Sequence, residues 1–159
     1  MSAFTNDDTK RLEQQLRESE GLRLDAYMCT KGVLTIGVGH NCKVSPVEGV
    51  SKVGDRITLE QAEALFARDL ANAVWQVRKA LPWVTSLNSP RQAVLYDMAY
   101  NMGIGTPGVS GLLSFRNTLN MVKTGDYTGA SRGMLNSKWR MDVGFRAIRL
   151  SNQMDTGEW

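Results

Sequence analysis

One acidic residue and two small polar residues lie close to one another in sequence near the start of the chain. Glu20 ends a helical pattern, Cys29 follows nine residues later, and Thr35 lies six residues beyond it. Glu20 continues the i, i+4 row of Leu12 and Leu16 at the negative end of that helix. Burial and the helix dipole should both raise the pKa of a carboxyl group there. A carboxyl group that keeps its proton can act as a general acid, which cleavage of a glycosidic bond requires.

Such cleavage also needs a second group that stabilises the positive charge of the sugar or activates an attacking water molecule. Cys29 and Thr35 would have to serve this need. A free thiol has a pKa of about 8.5, so only a few per cent of it is ionised at neutral pH. Two alternatives therefore stay open. A neutral Cys29 would leave most of the work to Glu20, Thr35 and transition-state binding, whereas a thiolate could stabilise the positive charge or attack the anomeric carbon.

The elements that position these residues are a helix and a hairpin. The pattern predicts a first helix that begins at an N-cap among residues 6–8 and stops at Gly21. Strands over 26–29 and 33–41 then flank a turn at residues 30–32. A three-residue turn predicts that Cys29 lies opposite Thr35, and a two-residue turn would shift the pairing by one residue.

One face of the second predicted strand is almost bare of side chains. Thr35, Gly37 and Gly39 share it, because alternate residues of a strand point the same way. Glycine in a strand is typical of close approach by a ligand or by another backbone segment.

The rest of the chain is helical in pattern. Apolar periodicity and a capping box of Thr58 and Gln61 predict a long helix over 58–80. Shorter helices are predicted around 90–102, 113–123, 126–137 and 143–153. We therefore predict a mainly helical α+β fold, in which a small hairpin lobe is joined by a long helix to an all-helical lobe. The chain, residues 1–159, is one domain, with lobes at about 13–57 and at 81–159 plus the N-terminal helix.

The composition limits the kinds of molecule that the protein is expected to bind. The net charge of +3 and the pI of about 9.0 suit an acidic polymer such as cell wall or nucleic acid, or a membrane surface. The basic residues are scattered, so we expect no nucleic-acid partner. We expect no membrane insertion and no signal peptide, because the long apolar runs that these need are missing. A single histidine and two cysteines without CxxC spacing predict neither a metal site nor a cofactor.

The spacing of Glu20, Cys29 and Thr35 resembles the catalytic pattern of the phage-type lysozymes, glycoside hydrolase family 24, in which the middle position is aspartate or cysteine. The similarity covers about residues 12–159. It includes, in the same order, "EGLRLDAY", "TIGVGHN", "TLEQAEALFARDL", "NMG", "FRNTLN", "SKW" and "TGEW".

The resemblance implies an endolysin that hydrolyses the β-1,4 bond between N-acetylmuramic acid and N-acetylglucosamine in peptidoglycan and lyses the host cell. It implies that Glu20 donates the proton, that Cys29 positions or activates a water molecule, and that Thr35 helps to hold this water. Hydrolysis in the family proceeds with inversion. The alternatives are a lytic transglycosylase acting on the same bond and a catalytically weak domain that binds the cell wall.

The resemblance also implies supporting residues. Arg146 should pair with Glu20, and His40 should form a structural ion pair with Asp69. The residues that line the substrate cleft should be Tyr100, Asn101, Asn117 and Thr118. We expect a monomer that is synthesised in the host cytoplasm and acts on the wall in the periplasm. Holin-dependent release and assembly into a virion both fit this expectation.

Overall fold

A computed structural model of the protein describes residues 3–159 and confirms the mainly helical α+β class. The described chain contains seven α-helices and one small antiparallel sheet. The elements are α1 (Asn6–Glu20), β1 (Arg23–Met28), β2 (Leu34–Gly37), β3 (His40–Asn41), α2 (Leu59–Ala80), α3 (Ser89–Met102), α4 (Arg116–Thr124), α5 (Tyr127–Leu135), α6 (Lys138–Val143) and α7 (Phe145–Thr156). Short 3-10 turns cover Pro82–Ser86 and Leu112–Ser114. None of the described helices combines the length and the apolar character that a bilayer crossing needs.

The chain folds into two compact units. The hairpin unit is Glu13–Asn72, and the helical unit is the chain up to Leu12 together with Ala73–Trp159. A core of small and branched apolar side chains fills the hairpin unit, and it consists of Ala26, Ile36, Cys42, Val50, Ile57, Ala62 and Leu65. Within the helical unit, every residue of α3 from Gln92 to Ala99 is buried.

The first helix begins with a capping box that the sequence analysis placed one step too late. Thr5 Oγ1 accepts a hydrogen bond from the Asp8 amide at 3.1 Å, and Asp8 Oδ2 accepts one from the Thr5 amide at 2.8 Å. The prediction that the N-cap lies within residues 6–8 was therefore wrong, because Asp8 is the return partner of the box. The box predicted before α2 is confirmed, with reciprocal bonds of 3.1 and 2.8 Å between Thr58 and Gln61.

The register of the hairpin differs from the prediction. Tyr27 is the partner of Thr35, and Met28 is the partner of Leu34. The Cys29 amide donates to the Val33 carbonyl at 3.0 Å. Cys29 therefore faces Val33 and not Thr35, because a turn of three residues closes on the two residues that flank it.

The predicted second strand, residues 33–41, is in fact two strands. Gly37 and Gly39 have φ angles of +67° and +64°, a left-handed region that residues with a Cβ atom avoid. The chain turns between them, and β3 pairs antiparallel with β2, with Asn41 opposite Thr35. The prediction of one continuous strand was wrong because these glycines form a tight turn.

The helical unit contains one helix more than predicted. Ser137 caps α6, where its Oγ accepts from the Arg140 amide at 3.3 Å, and Gly144 ends it with a φ angle of +57°. This short helix fell in the predicted gap between 126–137 and 143–153. Six residues are too few to show a clear helical period in sequence.

Candidate active site

Glu20 is the last residue of α1. The helix stops there because Gly21 adopts a φ angle of +73° while its amide donates to the Arg17 carbonyl at 2.8 Å. Leu12 and Leu16, which precede Glu20 on the same row of the helix, are completely buried. Glu20 itself is half-buried. The apolar row therefore fixes the helix and leaves its last member, a carboxyl group, at the edge of the core.

The Glu20 carboxyl lies where a side chain at position 39 would be, and Gly39 leaves that space free. A Cβ atom placed on Gly39 would lie 2.5 Å from Glu20 Oε2 and 2.7 Å from its Cδ. Both distances are far shorter than a van der Waals contact. At Gly39, the position left bare in the sequence therefore accommodates the side chain of the predicted proton donor.

Cys29 and Thr35 are hydrogen-bonded to each other. The Thr35 side chain is buried, and its single hydroxyl proton is directed either to the Cys29 sulfur or to the Val33 carbonyl oxygen, which lies 2.9 Å away. Burial raises the pKa of the Cys29 thiol, but hydrogen bonds from the Val33 and Lys31 amides and from Thr35, together with the charge of Lys31, outweigh it. The pKa of Cys29 therefore lies below that of an ordinary thiol, which increases the thiolate fraction at neutral pH.

Tyr27 belongs to the same cluster. It is the cross-strand partner of Thr35 and lies two residues before Cys29, so the three side chains share one face of the hairpin. Burial raises the pKa of the Tyr27 hydroxyl, and the negative charges of Glu20 and Cys29 raise it further. The positive charge of Arg23 lowers this pKa, but the net shift is upward. The Arg23 guanidinium lies 4.5 Å from the centre of the Tyr27 ring. Tyr27 thus connects the electrostatic environments of Glu20 and Cys29.

His40 makes the contact with Asp69 that the resemblance implies. Its Nδ1 lies 2.6 Å from Asp69 Oδ2, and its Nε2 lies 2.7 Å from the Ser45 carbonyl oxygen. Burial lowers the pKa of His40, but these two acceptors outweigh it and the net shift is upward. Since both ring nitrogens have partners within the hairpin unit, the geometry agrees with a structural role.

Arg146 lies in the helical unit against a buried acid. Its Nε donates to Asp97 Oδ1 at 2.8 Å, and Asp97 is completely buried. Burial raises the pKa of Asp97, although the positive charges of Arg146 and Arg149 oppose the shift. Asp97 is not among the predicted site residues, and its signal in the sequence is an acidic residue within the apolar run "AVLYDMAY". The pairing of Arg146 with Glu20 stays a prediction.

The predicted cleft residues are all found in the helical unit and differ in exposure. Asn101 is half-buried and its Oδ1 accepts a hydrogen bond from Trp139 Nε1 at 2.9 Å. Tyr100 is also half-buried, and Asn117 is exposed. Thr118 is buried, and a Cβ atom on Gly133 would lie 2.5 Å from its Oγ1. Of these four side chains, Thr118 is therefore the one least open to a ligand.

The described residues contain no group of three or more histidine, cysteine or acidic side chains that could hold a metal ion.

The sequence model of the phage lysozyme family matches residues 17–152. This chain belongs to the phage lysozyme family. A protein of this family is a lysozyme-type, cell-wall-lytic glycosidase, and its substrate is peptidoglycan.

Individual members of the phage lysozyme family are similar over most of this chain. The probable T4-type lysozyme 1 of Dictyostelium discoideum is 26% identical over 167 residues, which cover 92% of this chain and 94% of the relative. An endolysin of Acyrthosiphon pisum secondary endosymbiont phage 1 is 35% identical over 128 residues, which cover 78% of this chain and 73% of that endolysin.

One similar protein is much longer than this phage lysozyme chain. The pre-baseplate central spike protein Gp5 of Enterobacteria phage T4 is 30% identical over 177 residues. The alignment covers 99% of this chain but 30% of the spike protein. The phage lysozyme fold therefore occurs both in proteins of about this length and as one part of a larger protein.

Proposed function

We propose that this chain is an N-acetylmuramidase in which Glu20 is the general acid. It hydrolyses the β-1,4 bond between N-acetylmuramic acid and N-acetylglucosamine in peptidoglycan. The observation that supports this most is the Glu20 carboxyl, which lies against Gly39 in the same unit as the hydrogen-bonded pair of Cys29 and Thr35. A fixed acid and a separate polar pair are the two parts that glycoside hydrolysis needs.

In this proposal, Glu20 gives its proton to the bridging oxygen as the bond to the anomeric carbon breaks. A water molecule oriented by Cys29 and Thr35 attacks that carbon from the opposite face and passes a proton to the Cys29 thiolate. Proton exchange with solvent then restores both groups. The lowered pKa of Cys29 increases the fraction of thiolate that can accept this proton. Because water attacks directly, the product forms with inversion.

The place of action follows from this substrate. We propose that the enzyme is synthesised in the host cytoplasm and acts as a monomer on the wall in the periplasm, where it causes lysis of the host cell. Holin-dependent release would account for its path to the wall if it acts as a free endolysin.

The deciding experiment compares the wild type with Glu20→Gln on Gram-negative cells stripped of their outer membrane. The amide keeps the size of the side chain but has no proton to give. We expect the rate of turbidity loss to fall at least about a hundredfold, which is the usual contribution of a general acid. Lysis by Glu20→Gln at the parental rate would show that the proposal is wrong.

The products identify the reaction. Hydrolysis leaves a reducing end, whereas a lytic transglycosylase forms a 1,6-anhydro sugar, which is lighter by one water molecule. We expect mass spectrometry of the released muropeptides to show only the reducing form. Sedimentation of the protein with sacculi, without any loss of turbidity, would instead indicate a domain that only binds the wall.

A further inference from the structure

Three exposed apolar side chains occur within eight residues of sequence on the helical unit. Met141, Phe145 and Ile148, here called the 141–148 patch, have exposed fractions of 77%, 88% and 45%. Phe145 and Ile148 are three residues apart on α7, so they lie on one face of that helix. The other face of α7 is buried at Ala147 and Leu150. The amphipathic pattern of α7 is thus satisfied, and the patch is additional apolar surface.

Exposed charged residues lie next to the 141–148 patch in sequence. Lys138 and Arg140 are exposed on α6, and the exposed Asp142 lies between Met141 and Phe145 in sequence. The helical unit as a whole has twelve basic and seven acidic residues, which gives a net charge of +5. The patch therefore combines apolar contact surface with a cationic setting and one acceptor of hydrogen bonds.

Two residues within or next to the 141–148 patch in sequence are hydrogen-bonded to α3, the helix that carries the predicted cleft residue Asn101. Trp139, on the same helix as Met141, donates to Asn101. Arg146, the residue after Phe145, donates to Asp97 at 2.8 Å. Two hydrogen bonds to α3, one before the patch and one within it, therefore hold this segment in place and support the exposed side chains.

We propose that the 141–148 patch binds the glycan strand of the wall polymer outside the cleaved bond, an inference that rests on the proposed function. The exposed Phe145 ring would pack on the C–H face of an N-acetylated sugar, with Met141 and Ile148 against acetamido methyl groups. Lys138 and Arg140 would pair with carboxylates of the peptide stems. Asp142 favours a sugar polymer as the partner, because its carboxylate can accept hydrogen bonds from sugar hydroxyls.

The test measures binding of the full chain to purified sacculi in the Glu20→Gln background, so that the polymer stays intact. Phe145→Ala with Met141→Ala should raise the dissociation constant about tenfold, the effect of losing a partly buried aromatic contact. Val109→Ala is the control, because Val109 is 78% exposed in the same unit. Its dissociation constant should stay within about twofold of the parent. Thermal unfolding shows that each variant is folded.

Three results would overturn the inference. The first is unchanged binding of sacculi by the patch variant, and the second is an equal loss in the Val109 control. The third is a loss of binding to phosphatidylglycerol vesicles without any loss on sacculi, which would make the patch a membrane contact. Failure of the proposed function appears separately, as a loss of turbidity caused by Glu20→Gln alone, whereas failure of this inference leaves turbidity constant and appears only in the dissociation constants of the patch and control variants.

Discussion

The Glu20 carboxyl and a side chain at position 39 would occupy the same space. The clash is avoided because residue 39 is glycine. Gly39→Ala would place a methyl group 2.5 Å from Glu20 Oε2. It would also cost about 1–2 kcal/mol, because alanine is strained at a φ angle of +64°. We expect the displaced carboxyl to lower the lysis rate about a hundredfold, since small displacements of a catalytic group have effects of that size.

Gly49→Ala provides the matched control for this residue. Gly49 has a φ angle of +79°, and no atom lies within 4 Å of the position that a Cβ atom would take there. This variant should therefore lose similar stability in urea unfolding but keep nearly parental turbidity clearance. Equal losses of activity in both variants would assign the effect of Gly39→Ala to backbone strain.

Cys29 should control the rise of activity with pH. Because its thiolate is the form that accepts a proton, activity should increase as the thiol ionises, at a pH below the range of an ordinary thiol. Cys29→Asp should move this rise toward the carboxylate range near pH about 4, and Cys29→Ser should remove it. The measurement is initial lysis rate against pH. A fully active Cys29→Ala variant with the parental profile would exclude Cys29 from the mechanism.

At the scale of elements, the contact between His40 and Asp69 joins β3 to α2. The pKa of His40 is raised in the folded state, so the stability it contributes is present below its unfolded pKa of about 6.5. That contribution is lost as the pH rises through the folded pKa. Asp69→Asn should therefore lower the free energy of unfolding by about 1.5–3 kcal/mol at pH 5.5, and by less at pH 9.

A double-mutant cycle isolates this pair. In a His40→Gln background, Asp69→Asn should cost the same at both pH values, because no imidazole is left to titrate. The measurement is urea unfolding at pH 5.5 and 9. If the pH dependence persisted without His40, the interaction that links these two elements would have to involve another titrating group.

At the scale of the whole molecule, charge is distributed unevenly between the two units. The helical unit has a net charge of +5, and the hairpin unit, with seven basic and nine acidic residues, has −2. Binding of Glu20→Gln to sacculi should weaken several-fold between ~0.05 and ~0.3 M salt, because the Debye length falls below about 10 Å in that range. Sacculi whose carboxylates have been amidated should bind with little salt dependence. Equal salt dependence on both polymers would contradict an electrostatic contribution from the stems.

The sequence alone determined the local features of this protein. The capping box of Thr58 and Gln61, the stop at Gly21 and the helical class all follow from interactions within about four residues along the chain. Such interactions leave a periodic signal that can be read directly. The spacing of Glu20, Cys29 and Thr35, together with the ordered motifs from "EGLRLDAY" to "TGEW", likewise predicted the family, which the match of the family model to residues 17–152 confirms.

Only the tertiary structure decided which distant groups meet. The sequence marked Gly39 as a close approach but could not show that the Glu20 carboxyl fills the space, and it did not reveal Asp97 as a partner of Arg146. It also set the hairpin register two residues wrong at Thr35. These features depend on how separate elements pack and on how much water they exclude. The burial and the hydrogen bonds of Cys29 likewise depend on the tertiary structure. Together they set the pKa of its thiol.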